Sequence, residues 1–525
     1  MAEIHDPTTD ATQAEGSRRV AAKPEAGELA QASIPVEGGR LPEVVSAVEQ
    51  GLIRSGVLIF QRGGQLVRVI DADPGGQLVR RPEGVPMIVP VDAPWLADRA
   101  TTVCQLVRYD SRAQKWKAID CPERVAKALL SRSGDWHFPV LRGITQAPTL
   151  RPDGSLVHRV GYDWQSGLLS RHEININVPD NPSRESALQE LEILRQPFAE
   201  FPFATPADEA AAIAAMLTIL VRPSLPTAPL FLIDSPTAGT GKGLLVDCIA
   251  IVATGRSVPT LAVGRDEAEL EKRLGAALLA GDPVVSLDNI ERPLEGDFLC
   301  QVLTQPTVQT RILGLSKRVE CPTGLTMFAT GNNARVRGDT TRRTLGIHLD
   351  AECEKPDART FAIEDLRAWV AAHRSELIEA ALTILRAHHV EGQPFDGKPL
   401  GSFESWSRWI RGAVTWLGLP DPERTQDRLR SDDPAADELA AVIEAWRRAF
   451  GSTATTVQVA AERAEHDPDL GEALGTIASG KRGIDTRRLG WWMRRNMDVI
   501  CDGYVIRRRG GSRTAWAIEP TGDEQ

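Results

Sequence analysis

The segment LIDSPTAGTGKGLLVDCIA (232–250) leaves a chain that carries it few folds to choose from. A continuous apolar run, PLFLID (229–234), leads into it. Such a run suits a strand buried on both faces of a parallel sheet. A glycine-rich turn follows, then Lys242, then a helical pattern. Gly239 and Gly241 let backbone N–H groups turn inward and approach an anion closely. The helix aims its positive amino end at the same place. Lys242 adds a point charge suited to β- and γ-phosphates. The expected cradle is Pro236, Thr237, Ala238, Gly239, Thr240, Gly241, Lys242, Gly243 and Leu244. It departs from GxxxxGK[ST] twice. Pro236 replaces the first glycine, and Gly243 replaces the hydroxyl residue that ordinarily holds magnesium.

Two further strand tips belong with this turn. DPVVSLDNI (282–290) is an apolar run ending in Asp288, a carboxylate placed to hold magnesium. Asn289, next to it, orients water but takes no proton, which leaves Glu291 or Asp288 as bases. GLTMFATGNNARVRGDTTRRTLGIHLD (324–350) supplies another strand, tipped by Gly331, Asn332 and Asn333. Asn332 is suited to sensing a γ-phosphate. Arg342 and Arg343, just before the strand LGIHL, suit insertion into a neighbouring subunit's site.

GTGKG, VVSLDN, FATGNN and GDTTRR, in this order, resemble the superfamily-three helicase branch of the AAA+ ATPases. The likeness is to replication helicase or primase-helicase proteins of phages and integrated mobile elements, over about 229–350. It implies ATP and Mg2+ as cofactors, catalytic roles for Lys242, Asp288, Asn289, Asn332 and Arg343, and a homo-oligomeric ring, expected as a hexamer. It also implies a pore hairpin gripping single-stranded DNA. QTRILGLSKRVECPTG (309–324) has that form, with Lys317 and Arg318 at or near the tip.

Charge marks a second DNA site. From 481 to 513 the basic residues 481, 482, 487, 488, 494, 495, 507, 508, 509 and 513 face only three acids, 485, 498 and 502. That is +7 within a chain of formal net charge −10. DTRRLGWWMRRNMDVI reads as a capped helix, and GYVIRRRGGSRTAWAIE as strand, Gly-Gly turn, strand. Helix plus basic hairpin is the plan of a winged helix. Arg487, Arg488, Arg494, Arg495, Arg507, Arg508 and Arg509 are its expected duplex-DNA contacts. Leu489, Trp492 and Met493 are assigned to its core.

The expected fold is a multidomain α/β protein: an AAA+ P-loop ATPase core with an N-terminal α/β domain, helical segments and a C-terminal winged helix. The boundaries are a disordered tail at 1–40, an α/β domain at 41–178, a helical collar at 179–225, the ATPase at 226–352, a helical region at 353–430 and the winged helix at 431–525. The tail has almost no large apolar residues. GVLIFQRGGQLVRVI (56–70) reads as two strands around a Gly-Gly turn. No signal peptide or apolar 20-residue span is visible, so a cytoplasmic protein without membrane contact is expected. Seven scattered cysteines without a CxxC pair exclude a zinc ribbon and fit reduced thiols. Asp71 and Asp73 read as a turn beside a strand, and Trp406, Trp409 and Trp416 as core. The rival to a helicase is an ATP-binding DNA-recognition or initiator protein that switches state without unwinding; Gly243 and Asn289 favour it.

Overall fold

The structure, a computed structural model, describes residues 33–72, 84–263, 267–311, 318–480, 483–510 and 514–521. Lys317, Asp73, Lys481, Arg482 and Arg513 lie outside them, and so does the expected hairpin tip. At the centre is a five-stranded sheet. In chain order its core region runs β1 (Leu230–Ser235), α1 (Lys242–Thr254), β2 (Thr260–Ala262), α2 (Glu267–Ala280), β3 (Val284–Asp288), α3 (Asp297–Thr304), β4 (Thr307–Arg311), β5 (Arg318–Pro322), β6 (Thr326–Asn332) and β7 (Thr344–His348). The sheet order is β2-β3-β6-β1-β7, and every pairing is parallel. Leu230, Phe231, Leu232 and Ile233 are fully buried, as a strand covered on both faces requires. The sheet and the P-loop-like strand–turn–helix expected from 229–250 are therefore present.

The helix Pro206–Val221 is part of that cover. Thr205 and Asp208 form a reciprocal cap at its start, and Ala210–Val221 is buried throughout. The alanines of that buried stretch let neighbours approach closely, and Thr218 accepts a 2.8 Å hydrogen bond from the Trp406 indole. Trp406 and Trp409 are core, as their spacing predicts, and Trp416 packs at its margin.

Strands β4 and β5 form an antiparallel hairpin, as expected, with Arg311 paired to Arg318. Its root is held by Arg222, which is 2% exposed. The guanidinium donates to Leu325 O (2.9 Å), Leu225 O (2.6 Å) and Thr323 O (2.6 Å). Burial without a carboxylate lowers its pKa to about 10. A second support is the turn Gly63–Gly64 between strands Phe60–Arg62 and Gln65–Asp71. Gly63 has φ +56°, and an ideal Cβ there would lie 2.3 Å from Glu320 O, so only glycine fits.

Two expected boundaries change. Order begins before residue 41: Ile34–Pro35 pairs in parallel with Leu106–Val107, and Val36 is buried. The α/β domain expected over 41–178 belongs to two compact units. One comprises the described residues up to 57 together with 92–132; the other comprises 58–91 and everything from 133 onward. Alternation reveals a strand but not which core it joins. The first unit holds helices Leu41–Arg54, Ala93–Val103 and Glu123–Leu130 and a sheet of Ile34–Pro35, Leu106–Asp110 and Lys115–Ala118.

The C-terminal region has its own core around Trp446, Leu474, Met493, Ile506 and Trp516. Helices Pro434–Phe450, Val457–Ala464, Pro468–Ala478 and Thr486–Arg495 accompany a three-stranded sheet of Ile500–Cys501, Tyr504–Arg509 and Ala515–Pro520. Among the described residues no helix is long and apolar enough to cross a membrane. All seven cysteines are free.

Arg222→Ala leaves the carbonyls of Leu325 and Leu225 without that donor, while Thr323 O keeps the Leu325 N–H at 2.8 Å. Each such group costs about 1–3 kcal/mol, so the loss of stability is expected on the order of 3 kcal/mol. Urea unfolding measures it, and an unchanged midpoint contradicts the clamp.

Candidate nucleotide site

The carboxyl ends of β1, β3 and β6 stop at one edge of the sheet, and the glycine turn rises between them. Gly239 (φ +80°) and Gly241 (φ +95°) occupy the left-handed region, where a Cβ is strained. Both also touch neighbours: an ideal Cβ on Gly239 would sit 3.2 Å from Asp357 Cβ, and one on Gly241 3.2 Å from Phe201 Cε1. Helix α1 begins at Lys242, so its free amide N–H groups face the turn. At its other end, Arg374 donates to Val252 O (2.9 Å) and Ala253 O (3.0 Å), matching a cation to the negative helix end.

The structure brings Lys242 and Asn332 together. The ammonium donates to Asn332 Oδ1 at 2.6 Å and to Thr237 O at 3.1 Å, and also reaches Ser235 Oγ. Burial lowers the lysine pKa, and the Asp234 and Asp288 carboxylates oppose that shift. Asp288 is exposed at the tip of β3 and accepts from Thr330 Oγ1 at 2.6 Å. Asn289 adopts φ +56° and donates to Glu291 Oε1 at 3.0 Å. The carboxylate of Glu291 is thus positioned by the amide standing where a base was sought. Gly331 is required by close approach: an ideal Cβ would lie 2.8 Å from Ile290 O.

Sequence reading missed two parts of this site. Asp234, read only as the end of a strand, is buried and accepts from Ala334 N at 2.7 Å. It also meets His348 Nδ1 at 3.1 Å and Arg428 at 3.6 Å, tying β1 to both flanking strands and to a distant helix. The second part is a cleft of about 250 Å³ beside the turn, walled by Phe201, Leu244, Phe361, Ile363 and Leu366. Its lining mixes these apolar side chains with the carboxylates Glu200, Asp357, Glu364 and Asp365, and Arg359 lies 5.2 Å over the Phe361 ring. No sequence period marks these residues, which come from three separate segments.

The site's chemistry suits a nucleoside triphosphate. The turn offers a lysine and free amides to an anion, a cleft with Phe201, Leu244 and Phe361 in its wall adjoins it, and Asp288 has an exposed carboxylate to offer a cation. Among the described residues no group of three or more His, Cys, Asp or Glu side chains surrounds a metal position. A magnesium ion would therefore take Asp288 together with oxygens of the nucleotide and water.

Arg342 and Arg343 lie elsewhere. Thr344 pairs with Leu230, at the amino end of β1, so the arginines are roughly 17 Å along the strand from Ser235. Arg343 is nearly buried and ion-paired to Asp339, whereas Arg342, also on Asp339, is half exposed. Of the pair, Arg342 is the more accessible. Their turn is fixed to the C-terminal region: Asp433 accepts from Gly338 N (3.0 Å) and Thr341 Oγ1 (2.8 Å), and Arg337 donates to Glu438 (2.9 Å).

No family model matches the chain. No curated protein matches it either. Among solved structures, the C-terminal region of NrS-1 is similar at 13% identity and TM-score 0.33, covering 82% of this chain and all of that one. The SCCmec type IV Cch active helicase matches at 10% identity and TM-score 0.36, covering 83% and 91%. JCV helicase matches at 14% identity and TM-score 0.20, covering 48% and 74%. Likenesses this low assign neither family nor activity.

The expected DNA contacts separate by location. Arg318 is exposed where β5 starts. Arg487, Trp491 and Arg494 are exposed on Thr486–Arg495 with the i, i+4, i+7 spacing of one face, Arg488 and Arg495 beside them, while Leu489, Trp492 and Met493 are buried as expected. Arg507 is paired with Asp498, and Arg509 with Glu519 at 2.6 Å. The hairpin strand therefore carries less free charge than its sequence suggests.

Gly243 is exposed and nothing lies within 4 Å of its ideal Cβ, so a hydroxyl residue fits without displacement. Gly243→Ser is expected to tighten magnesium dependence of nucleotide turnover several-fold. A magnesium titration of turnover checks this, and an unchanged half-saturation contradicts Asp288 and position 243 sharing one cation.

Proposed function

We propose that the chain is a DNA-dependent ATPase, a helicase or translocase serving replication of a phage or mobile element, working as a homo-oligomeric ring, most simply a hexamer. The observation that carries this reading is the opposition of two sets of residues across one sheet. Lys242, Asn332 and Asp288 gather at its carboxyl edge, and Arg342 and Arg343 stand at its amino edge, farther from that site than an arginine extends. An arginine so placed serves the nucleotide of a neighbouring copy.

In this reading Lys242 and the turn amides bind the phosphates, and Asn332 orients the terminal one. Magnesium supplies charge neutralisation across the β- and γ-phosphates. Glu291, held by Asn289, accepts the proton of the attacking water. The C-terminal region acts as a winged helix on duplex DNA, with Arg487, Arg488, Arg494 and Arg495 as its main phosphate contacts, and the β4–β5 hairpin with Lys317 and Arg318 grips a single strand in the pore. The absent hydroxyl at Gly243 and the amide at Asn289 favour a second reading, an ATP-binding initiator that switches state without unwinding.

Lys242→Ala is expected to abolish ATP turnover in a folded protein, with and without single-stranded DNA. Subunits carrying Arg342→Ala with Arg343→Ala should bind ATP without turning it over, and mixing them with Lys242→Ala subunits should restore part of the activity. Absence of rescue in rings shown to contain both rules out the arginines acting across an interface. If wild type binds ATP but shows neither turnover nor unwinding, the initiator reading stands.

For the C-terminal helix, alanine at Arg487, Arg488, Arg494 and Arg495 should weaken duplex binding. It should also flatten the dependence of log K on log salt by roughly 0.9 for each phosphate that is no longer neutralised. An unchanged slope removes duplex DNA from this helix.

A further inference from the structure

The proposed motor leaves the first compact unit without a task. That unit contains the hairpin of strands Leu106–Asp110 and Lys115–Ala118, whose second strand is an edge of its sheet among the described residues. Every residue from Ser111 to Ala118 is exposed. Tyr109 and Trp116 sit directly opposite each other, so they share one face. Their rings meet edge-on at 5.6 Å, yet 45% of Tyr109 and 46% of Trp116 stays open to solvent. An aromatic pair built only to stabilise a hairpin gains by covering itself; this one leaves nearly half of its surface bare.

The turn that carries the pair is tied by its own hydrogen bonds. Asp110 Oδ1 accepts from Arg112 N (2.9 Å) and Ala113 N (3.0 Å). The Tyr109 hydroxyl donates to Gln114 Oε1 at 2.9 Å, and the Gln114 amide donates back to Ser111 O at 2.8 Å. These bonds hold the turn in the geometry that presents the rings, which lowers the ordering cost of binding.

Charge selects the ligand. Residues 106–118 carry Arg108, Arg112, Lys115 and Lys117 against the single acid Asp110. Asp110 is engaged by Lys117. Arg108, Arg112 and Lys115 have no carboxylate partner among the described residues. Arg108 pairs across to Lys117 and Asp110 to Lys115, so these side chains leave the face opposite the rings. The ribbon there is two strands wide, about 5 Å from strand to strand, so cations on the reverse face stand at its rim. Bare rings on one face with a cationic rim match a strand whose bases stack while its phosphates pass along the edge. A duplex hides its base faces and cannot use the rings.

We propose that the Tyr109–Trp116 hairpin is a stacking platform for single-stranded DNA, separate from the motor and from the C-terminal helix. The choice of DNA over RNA rests on the function proposed above; the site itself does not. The full-length chain, without nucleotide and with excess unlabelled duplex to occupy the duplex site, is cross-linked to a short oligothymidylate carrying 5-iododeoxyuridine, and the adduct is mapped by mass spectrometry. The adduct is expected on Tyr109 or Trp116. Tyr109→Ala with Trp116→Ala should weaken oligothymidylate binding about tenfold or more and leave duplex binding unchanged, whereas Tyr109→Phe with Trp116→Phe retains most of it. Alanine at Arg108, Arg112 and Lys115 should reduce the single-strand salt slope by about 2, from roughly 0.7 per phosphate. Adducts found only outside 106–118 overturn the platform. Unchanged affinity in the folded double-alanine protein does so too, as does equal loss of single-strand and duplex binding. If the alanine variant fails to fold, the cross-link map and the phenylalanine variant decide. None of these readouts needs ATP turnover, so a failed motor and a failed platform give different results.

Discussion

An all-parallel sheet cannot close on itself with short turns. Each strand must be reached by a crossover, and both faces must be covered. Much of this chain follows from that requirement. It explains why the helix Pro206–Val221 is, from Ala210 onward, nearly all alanine and large apolar residues and buried throughout. It also explains why the loops after β1, β3 and β6 emerge at one edge. Ser235, Asp288 and Asn332 are distant in sequence and become neighbours because parallel register aligns strand ends. The lysine at the first position of α1 then reaches Asn332 and Ser235 with its own side chain.

The same alignment gives the opposite edge its character. There the chain enters its strands, and the turn with Arg342 and Arg343 precedes β7. That turn is not free. Asp433, which caps the helix Pro434–Phe450, holds Gly338 and Thr341 with the same carboxylate. Arg337 adds an ion pair to Glu438 one turn further along that helix. A displacement of the C-terminal region therefore reaches the arginine turn through hydrogen bonds rather than through a linker. The hairpin root has comparable anchoring, from Arg222 beneath and Gly63 alongside.

How far the sequence was legible depended on whether a signal was local. The strand–turn–helix at 229–254 was readable because one segment holds the apolar run, the left-handed glycines and the lysine. Leu489, Trp492 and Met493 were assigned inward because helical period alone separates them from Arg487 and Arg494. Asp234 was not seen: its importance comes from Ala334, His348 and Arg428, none of them near in sequence. Phe201 and Phe361 escaped for the same reason. Charge counting overstated the hairpin strand Tyr504–Arg509, because Asp498 and Glu519 fold back onto two of its three arginines. Arg343 looked as available as Arg342, and only burial separates them.

The first compact unit is assembled from two stretches of chain with residues 58–91 between them, and this has a consequence for synthesis. Ile34–Pro35 finds its hydrogen-bond partner only at Leu106–Val107. The intervening strands Phe60–Arg62 and Gln65–Asp71 pair with each other across a two-residue turn and can close at once. At ribosomal rates of roughly 5–20 residues per second, the early strand waits on the order of 10 s for its partner to emerge. Throughout that interval Val36 and the apolar face of Leu41–Arg54 have no core to enter. The unit is thus begun before residues 58–91 and completed only after them, and its early segment stays uncovered in the meantime.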